Sequence, residues 1–541
     1  MSGMAPNLPP LLLSGFMGTG KSTVGRIVAE RAGVPFLDLD ETIEQEAGAS
    51  IAAIFAGDGE ASFRSLEASV LRRVLDEPGA RVVALGGGAL LDPASRLAAI
   101  ERARIVTLLA DPETIAHRTA GTARPLLEIA PTPFVISARL ARIRDLLARR
   151  APAYAEAHAQ IRTDGRTPDA VAAAVHQAWL EQTHLVPLGL RSYPVRITSR
   201  APEALSELAL ALHPSAVYLI TDTTVRDLWG AALLRDLEGV PVALSIPIEP
   251  GEPSKRLAVI EHLLSTLIAA GADRDALILA HGGGVVSDIA GFTAATLFRG
   301  VRWAAVPTSL LAMVDASIGG KTGVDLGEAK NAVGAFHQPS AVLIDPAHVA
   351  TETSRAYRSG LAEVVKSACV GDAPLFDLLE READAALARD PLLVAELVSR
   401  SAALKVSIIG RDERESGDRA FLNFGHTLGH ALEAQGGYSR LTHGEAVSLG
   451  MVGALLVGRD LGVTEPTAVD RVIRLLARLG LPTDLAAEPV EGAIRLLARD
   501  KKRRGSTLRA VLLRRIGEPL LHRIDVGDLG ARYLRAAAAR P

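Results

Sequence analysis

Eight residues near the N-terminus have the spacing of a loop that binds nucleotide phosphates. Gly15-Phe16-Met17-Gly18-Thr19-Gly20-Lys21-Ser22 fits G-x-x-x-x-G-K-[ST], with an apolar run before it and a helical pattern after it. Glycines let backbone N–H groups turn toward phosphate oxygens, and the helix N-terminus adds partial positive charge. We predict that Lys21 reaches the terminal phosphates of a nucleoside triphosphate and that Ser22 ligates magnesium. The predicted nucleotide contacts are Gly15, Gly18, Thr19, Gly20, Lys21, Ser22 and Thr23.

Further charged residues and a glycine run follow at intervals that could build an acceptor site. They are Asp38, Asp40, Arg64, Gly86-Gly87-Gly88, Arg118, Arg124 and Arg150. The planar fork of an arginine suits a carboxylate, and glycines let a substrate approach the backbone closely. An isolated acidic pair can equally be solvated at a strand end, and any single arginine is more often a surface residue.

Together these motifs resemble the shikimate kinase family over residues 8–180. The resemblance implies ATP-dependent phosphorylation of shikimate at its 3-hydroxyl, with Mg²⁺ held by Ser22 and Asp38. Asp40 would contact the ring hydroxyls as the catalytic base, while Arg64, Gly87 and Arg150 complete the shikimate site. The resemblance also implies that Arg118 and Arg124 contact ATP, with Arg124 in a mobile lid. Lys21 and Arg124 would assist phosphoryl transfer.

A second glycine-rich segment, His281-Gly282-Gly283-Gly284, lies between a predicted strand and a predicted helix. That position suits a pyrophosphate. The glycines read G-x-G-x-x-Ser, without the third glycine of a dinucleotide fingerprint. On its own, therefore, the segment is equally consistent with a structural turn.

Three histidines and one glutamate farther along the chain have the chemistry of metal ligands. His426 and His430 are four residues apart on one face of a predicted helix, and His443 and Glu363 lie on others. Glutamate and neutral imidazole bind zinc, and three protein ligands leave an open catalytic position. Spacing alone favours His426 and His430 as joint ligands, although a helical histidine is more often packed or solvated. Thr442-x-x-Glu445 fits a capping box, so Glu445 is predicted to be a cap.

From about His184 onward the chain resembles the 3-dehydroquinate synthase family, also through Pro307–Leu311, Asp315–Val324 and Gly334–Pro339. The resemblance implies that Glu363, His426 and His443 bind Zn²⁺ or Co²⁺, and that His430 faces the substrate. It implies conversion of 3-deoxy-D-arabino-heptulosonate 7-phosphate to 3-dehydroquinate and phosphate. The route is transient oxidation by NAD, elimination of phosphate, return of hydride and aldol closure. A metal-dependent polyol dehydrogenase is the alternative.

The same resemblance assigns the remaining residues of this half. NAD contacts fall on Asp222, Glu252, Lys255, Gly283, Gly284, Asp288, Thr308, Ser309, Lys321 and Lys330. Phosphate and substrate contacts fall on Arg299, Lys321, Asn331, Lys366, Lys405, Arg419, Asn423 and His430. The catalytic candidates among these eight are Lys321, Lys366, Lys405, Arg419 and His430. Lys501 or Lys502 is a further phosphate contact. Ser287 and Ala329 depart from family glycines and alter loop conformation more than chemistry.

The elements that must position these residues alternate between short apolar runs and helical patterns. Predicted strands are 10–13, 34–37, 81–85, 105–109, 216–220, 242–246, 276–280 and 303–306, and helical periodicity dominates from about Ser354. We predict an α/β P-loop kinase with a parallel sheet (1–182), a linker (183–190), an α/β NAD-binding domain (191–350) and an all-helical metal-binding domain (351–541).

Composition limits the classes of partner. Lys+Arg (59) nearly balance Asp+Glu (62), which disfavours nucleic acid and membrane surfaces as partners and favours small-molecule substrates. One cysteine, Cys369, suits a reducing cytoplasm, and no apolar run is long enough to span a bilayer. The family resemblance implies a homodimer through the second half.

Overall fold

The computed structural model describes residues 8–120, 127, 135–198, 201–237, 239–327, 329–501 and 507–538. The chain divides into two compact units between Pro194 and Val195. The segment predicted as a linker precedes this division and includes most of a strand, Gln182–Val186. No helix among the described residues is both long and apolar enough to cross a membrane.

The first unit is built on a parallel sheet of five strands. The strands are β1 (Leu11–Gly15), β2 (Phe36–Asp38), β3 (Val82–Ala84), β4 (Arg104–Leu109) and β5 (Ala159–Arg162), in the order β2-β3-β1-β4-β5. The helices are α1 (Lys21–Ala32), α2 (Leu39–Ala47), α3 (Ile51–Gly57), α4 (Gly59–Asp76), α5 (Pro93–Arg102), α6 (Pro112–Arg118), α7 (Val135–Ala155) and α8 (Pro168–Leu180). The predicted α/β class is confirmed.

Apolar residues on both faces of this sheet hold the helices in place. Leu12, Val83 and Ile105 face one core cluster, and Leu11 and Val106 face another. Successive residues of a strand point to opposite faces, so a strand covered by helices on both sides needs apolar residues throughout. As a result, the polar residues of the site lie at the strand ends, in the loops and on the helices around the sheet rather than inside the strands.

The second unit contains a larger parallel sheet and two separate hairpins. After β6 (Gln182–Val186), its strands are β7 (Tyr193–Ile197), β8 (Val217–Asp222), β9 (Val242–Ile248), β10 (Leu277–Gly282), β11 (Arg302–Pro307), β12 (Lys321–Leu326), β13 (Ala329–Phe336), β14 (Val342–Ile344), β15 (Thr507–Arg515) and β16 (Glu518–Asp525). The parallel strands lie in the order β7-β14-β11-β10-β8-β9, while β12 pairs with β13 and β15 with β16 in antiparallel hairpins.

Helices cover this sheet and form the C-terminal part of the second unit. Around the sheet lie α9 (Ala201–Leu212), α10 (Thr223–Val225), α11 (Ala231–Asp236), α12 (Leu257–Ala269) and α13 (Gly284–Thr296). The C-terminal helices are α14 (Ser354–Gly371), α15 (Ala373–Arg381), α16 (Ala383–Leu387), α17 (Pro391–Arg411), α18 (His426–Gln435), α19 (His443–Asp460), α20 (Pro466–Arg478), α21 (Val490–Lys501) and α22 (Val526–Ala538).

The helical prediction from Ser354 is confirmed except for the β15–β16 hairpin, which was not predicted. Buried Leu508, Ala510 and Leu512 alternate with exposed Thr507 and Arg509 at the start of β15. That alternation has the two-residue period of a strand. It was hidden by the strongly helical patterns on both sides of it.

His281 is an unusual component of the second sheet because it is polar, buried and unpaired. It lies in β10 and is 1% exposed, and neither ring nitrogen hydrogen-bonds to any described residue. Its ring centroid is 5.6 Å from that of His348. Burial, together with the neighbouring His348, lowers the pKa of His281 to about 3.

Replacing His281 with leucine should therefore stabilise the second unit, and more so in acid. The unfolded chain protonates this histidine near pH 6.5 and the folded chain only near pH 3, so stability is lost as the pH falls between these values. The loss is about 1.4 kcal/mol per pH unit, or roughly 2 kcal/mol at pH 5. Removing an unpaired buried polar group adds about 1–2 kcal/mol at neutral pH.

The measurement is hydrogen–deuterium exchange of peptides covering β10, comparing variant and wild type at pH 7 and again at pH 5. His262→Gln, on an exposed position of α12, is the matched control and should match wild type at both values. An H281L gain that is equal at the two pH values would contradict the proposed titration.

Candidate functional sites

The glycine-rich loop of the first unit joins the end of β1 to the start of α1. Gly15 has a φ of 134°, and a Cβ there would lie 2.3 Å from the Leu108 carbonyl oxygen. Gly20, the N-cap of α1, has a φ of 96°. The Lys21 ammonium donates to the Gly15 and Phe16 carbonyls, both at 3.0 Å. The loop thus curls around its own lysine at a helix N-terminus, which is an anion-binding geometry.

Ser22 and Asp38 form an oxygen pair beside this loop. The Ser22 hydroxyl donates to Asp38 Oδ2 at 2.6 Å. Asp38 ends β2 and caps α2 by accepting from the Asp40 amide at 3.2 Å. Mg²⁺ is usually held by one or two protein oxygens together with phosphate oxygens and water. This donor set therefore fits magnesium bound to a nucleotide.

A cavity of about 520 Å³ connects the loop to the predicted acceptor residues. Its lining brings together most of the predicted residues of this unit: Gly18, Gly20, Lys21, Ser22, Thr23, Asp38, Asp40, Arg64, Gly87 and Arg150. Thr19 is buried in the loop, where its hydroxyl donates to Phe16 O at 2.8 Å. Arg118 donates to Thr163 Oγ1 at 3.0 Å and to Gly18 O at 3.4 Å, so it lies beside the loop. Arg124 lies outside the described residues.

The glycine run 86–88 lets the charged side chains of the cavity approach one another. A Cβ on Gly86 would lie 2.7 Å from Asp40 Oδ1, and one on Gly88 would lie 2.4 Å from the Arg64 guanidinium. Arg150 donates to the Gly87 carbonyl at 2.9 Å. Two arginines and Asp40 therefore converge on one side of the backbone, an arrangement that suits a small hydroxylated carboxylate.

Glu67, which was not predicted, fixes one of these arginines. Its Oε2 accepts from Arg64 at 2.6 Å, and its Oε1 has no hydrogen-bond partner among the described residues. Burial raises the pKa of Glu67, although Arg64 opposes the shift. Its spacing of three residues from Arg64 on one helix was the available signal.

In the second unit the predicted dinucleotide contacts collect at the carboxyl ends of neighbouring strands. Asp222 ends β8 and caps α10, and Glu252 follows β9. Gly283 and Gly284 follow β10 at the start of α13, and Thr308 follows β11 and donates its amide to Gly282 O at 3.0 Å. A Cβ on Gly283 would lie 3.4 Å from Ser309 Oγ. Open parallel sheets bind ligands in this crevice, so the residues fit a dinucleotide.

Two of the three lysines predicted to contact the dinucleotide, Lys255 and Lys330, are held by carboxylates. Lys255 Nζ lies 2.7 Å from Asp288 Oδ2 and also contacts Asn331 Oδ1. Lys330 Nζ lies 3.2 Å from Glu252 Oε1 and 3.2 Å from Glu433 Oε1. Burial raises the pKa of Asp288 to about 6 even though Lys255 opposes the shift.

The two departures from the family pattern, Ser287 and Ala329, both lie within regular elements. Ser287 lies in the first turn of α13, 2% exposed, and its hydroxyl finds no partner among the described residues. Ala329 begins β13 and pairs with Leu326.

A second cavity of about 520 Å³ gathers cations predicted to contact substrate. Its lining includes Asp288, Asp315, Lys321, Asn331, Lys405 and Arg419. Lys405 Nζ lies 2.7 Å from Asp315 Oδ1, and Lys366 Nζ lies 3.9 Å from the same oxygen. Burial lowers the pKa of Lys405 to about 8, while the two lysines hold the pKa of Asp315 well below its usual range against the effect of burial.

Glu363, His426 and His443 meet in three dimensions although they come from three helices. Each offers a ligand atom within 4.8 Å of the other two. Glu363 is 1% exposed, and its Oε1 lies 3.4 Å from His443 Nε2 and 3.9 Å from His426 Nε2. Burial disfavours ionised Glu363, but Lys366 and the histidines outweigh it and lower its pKa to about 2. One carboxylate and two imidazoles around a common point fit a catalytic zinc site.

The other ring nitrogens of these histidines face oxygen acceptors. His426 Nδ1 lies 3.2 Å from the Phe424 carbonyl oxygen, and His443 Nδ1 lies 3.4 Å from Glu433 Oε2. Metal-binding histidines in proteins almost always present one nitrogen to the ion and donate from the other to such an acceptor. Both rings are therefore oriented with Nε2 toward Glu363, which agrees with the donor set.

Two further predicted residues of this half lie near the sites already described: His430 is beside the metal-binding cluster, and Asn423 is linked to Lys321 through Glu415. The His430 ring centroid is 5.0 Å from that of His426 and 5.9 Å from that of His443, and burial lowers its pKa to about 4. Asn423 contacts Glu415, which also contacts Lys321. Thr442 and Glu445 form the predicted capping box of α19, which is confirmed.

Arg299 is not brought to the second cavity. It is exposed at the end of a turn after α13, has a φ of 69°, and forms no hydrogen bond or ion pair with the described residues. Lys502 lies outside the described residues, and so does the side chain of Lys501.

Three acidic residues of the second site were not predicted as site residues: Asp315, Glu415 and Glu433. Each pairs with a cation that was predicted, at sequence separations of 90, 94 and 103 residues respectively. Asp315 and Glu433 lay within or beside the motifs that carried the resemblance. That position was the only available signal.

The geometry defines two classes of protein within one chain. The first unit is a P-loop phosphotransferase fold, and the second is an α/β fold with a dinucleotide crevice beside a buried metal-binding cluster. The shikimate kinase family model matches residues 17–179, and the N- and C-terminal models of 3-dehydroquinate synthase match residues 245–359 and 360–503.

Individual relatives agree with the 3-dehydroquinate synthase matches. The chain is 43% identical to 3-dehydroquinate synthase of Acidithiobacillus ferrooxidans over 62% of its own length and 93% of that protein. It is 44% identical to the 3-dehydroquinate synthase of Halorhodospira halophila over 63% of its own length and 95% of that protein. The chain also resembles a solved structure, that of 2-epi-5-epi-valiolone synthase of Streptomyces hygroscopicus subsp. jinggangensis with NAD⁺ and Zn²⁺ bound. The two sequences are 31% identical, the TM-score is 0.58, and the match covers 64% of this chain and 97% of that one. The chain belongs to the 3-dehydroquinate synthase family and carries a shikimate kinase domain ahead of it, as predicted.

Proposed function

We propose that the first unit transfers the terminal phosphoryl group of ATP to the 3-hydroxyl of shikimate. Its role assignments rest on the 520 Å³ cavity in which the loop, the Ser22–Asp38 pair and two arginines meet. Arg64 and Arg150 bind the shikimate carboxylate, and Asp40 accepts the proton of the reacting hydroxyl. Lys21, Arg118 and Arg124 offset charge on the phosphates, which is the main demand of phosphoryl transfer.

We propose that the second unit converts 3-deoxy-D-arabino-heptulosonate 7-phosphate to 3-dehydroquinate and phosphate. The observation that carries this proposal is the cluster of Glu363, His426 and His443 beside a cavity lined by Lys321, Lys405 and Arg419. When bound, the divalent metal supplies a Lewis acid and NAD a reversible hydride acceptor. NAD is assigned to the strand-end crevice.

The protein's own groups then hold the substrate and move its protons. Lys366, Lys405 and Arg419 orient the carboxylate and ring hydroxyls, and their charges balance those of the anionic substrate. Lys321, Asn331 and Asn423 contact the phosphate and neighbouring oxygens. His430, whose lowered pKa keeps it neutral above about pH 4, is available to accept a proton.

A homodimer is the proposed assembly of the second unit. Arg299 is exposed and held in a left-handed conformation, which costs energy for a residue other than glycine. Extension of this side chain into the phosphate site of a second copy would account for that conformation. We further propose the boundaries 182/183, 190/191 and 350/351 and a cytoplasmic location, where the buried Cys369 stays reduced.

An assay of the whole chain with both substrates separates this proposal from its rivals. We expect released phosphate to equal 3-dehydroquinate formed, with no net NADH absorbance at 340 nm. Stoichiometric NADH without phosphate would instead indicate a polyol dehydrogenase. A zinc-selective chelator should stop the synthase, and Mg²⁺ alone should not restore it, whereas kinase activity after EDTA should return with Mg²⁺ alone.

A further inference from the structure

Glu433 lies between the predicted metal site and the predicted dinucleotide site of the second unit. It is on α18, one helical face with His426 and His430, and its side chain is 3% exposed. Its two carboxylate oxygens have different partners. Oε2 lies 3.4 Å from His443 Nδ1, and Oε1 lies 3.2 Å from Lys330 Nζ.

The contact with His443 determines which nitrogen of that ring faces the cluster. A carboxylate accepting from Nδ1–H leaves Nε2 with its lone pair, and Nε2 is the nitrogen that lies 3.4 Å from Glu363 Oε1. The same contact fixes the plane of the ring and increases its electron density. Both effects favour a divalent cation at Nε2.

The contact with Lys330 fixes a cation of the dinucleotide crevice. The Lys330 ammonium is shared between Glu433 and Glu252, both at 3.2 Å, and lies 5.0 Å from the centre of the Tyr438 ring. Without Glu433, Lys330 would keep Glu252 as its one carboxylate partner among the described residues, together with the Tyr438 ring. The position of its charge relative to the strand ends would then be less well defined.

We propose that Glu433 is a positioning residue that orients His443 toward the metal and Lys330 toward the dinucleotide, and so couples the binding of the two cofactors. This inference rests on the function proposed above for the site. The coupling needs no change of fold, because each cofactor, once bound, would restrict the motion of the carboxylate that also supports the site of the other. It also predicts that metal and NAD⁺ each raise the affinity for the other, since linkage is reciprocal.

Direct ligation is the competing role for Glu433. His430, Glu433 and His443 also offer ligand atoms within 4.8 Å of one another. The Lys330 ammonium, however, already lies against Glu433 Oε1 on that side. The geometry thus favours a carboxylate that supports a ligand over one that is a ligand.

The test uses the full chain with Glu433→Gln, which preserves the shape of the side chain and removes its charge. We expect zinc affinity, measured by competition with a chromophoric chelator, to fall about 10- to 100-fold. We expect NAD⁺ affinity, measured by calorimetry, to fall as well, and the gain in NAD⁺ affinity on adding zinc to be lost. Glu433→Asp should recover part of the zinc affinity, which a purely structural defect would not.

Three further readouts keep the outcome decisive. The visible spectrum of bound Co²⁺ should keep its band positions in E433Q, because the ligand set is unchanged, whereas shifted bands would show direct ligation and overturn the proposal. Glu396→Gln, exposed on α17, should behave as wild type. Unchanged zinc and NAD⁺ affinities in E433Q would also overturn it, whereas failure of wild type to bind either cofactor would reject the proposed function itself.

Discussion

Replacing Glu363 by glutamine should reduce the synthase reaction to a small residual rate and leave the rate of shikimate phosphorylation unchanged. Glu363 is the only acid of the three-ligand cluster, and a neutral amide is a much weaker ligand for zinc than a carboxylate. Loss of the metal removes roughly 4 kcal/mol of transition-state stabilisation, or about 10³-fold in rate. The measurement is phosphate release together with the metal content of the purified chain.

Two additional variants separate a chemical effect from a folding defect. Glu363 also pairs with buried Lys366, so E363Q leaves that lysine with Asp315 at 3.9 Å as its nearest acid. His443→Asn removes a different ligand and leaves the Lys366 pair intact, and it should give the same loss of metal. Glu382→Gln, at an exposed position between α15 and α16, is the matched control. An E363Q chain that retains one tightly bound metal and full turnover would exclude the assigned cluster.

Asp40→Asn should lower the kinase turnover number about 10²- to 10⁴-fold, the contribution usual for a general base. The KM for ATP should change little, because the loop residues that contact phosphates are untouched. Asparagine keeps the size of the side chain, so the cavity around Gly86 is preserved. The assay is the steady-state rate of ADP formation with saturating shikimate.

The control for this variant is Glu46→Gln on α2, which removes an exposed carboxylate paired with Arg73. Synthase turnover of the same D40N preparation reports that the second unit is intact. Near-normal kinase turnover in D40N would remove Asp40 from the catalytic residues and leave it only a role in binding.

Most of the fold and of the cationic part of each site could be predicted from sequence. The glycine loop, the strands that end at it and the cap of α8 are local patterns, because each depends on residues within a few positions of one another. Thr167, for example, directly precedes Pro168 and Asp169 at the start of α8, and its side chain accepts from the Ala170 amide. The start of the helical part at Ser354 is local in the same sense.

The acidic partners could not be predicted in this way. A search for groups that bind anionic substrates selects lysine and arginine, and gives no reason to choose one acid among 62. Asp315 and Glu415 are identified only when α17, β12 and the segment before α18 come together around the second cavity. The same limit applies to the metal cluster, where helical spacing favoured His430 and the structure brings His443 to Glu363.

The ion pair between Lys321 and Glu415 has a consequence for how the second site handles its ligands. A carboxylate of the protein already neutralises a cation that is assigned to the phosphate. An incoming phosphate must therefore compete with an internal anion, and the departing product is replaced by that anion instead of leaving a bare positive charge. With Lys321 at the phosphate as proposed, this exchange would lower the ground-state affinity for phosphate and speed product release.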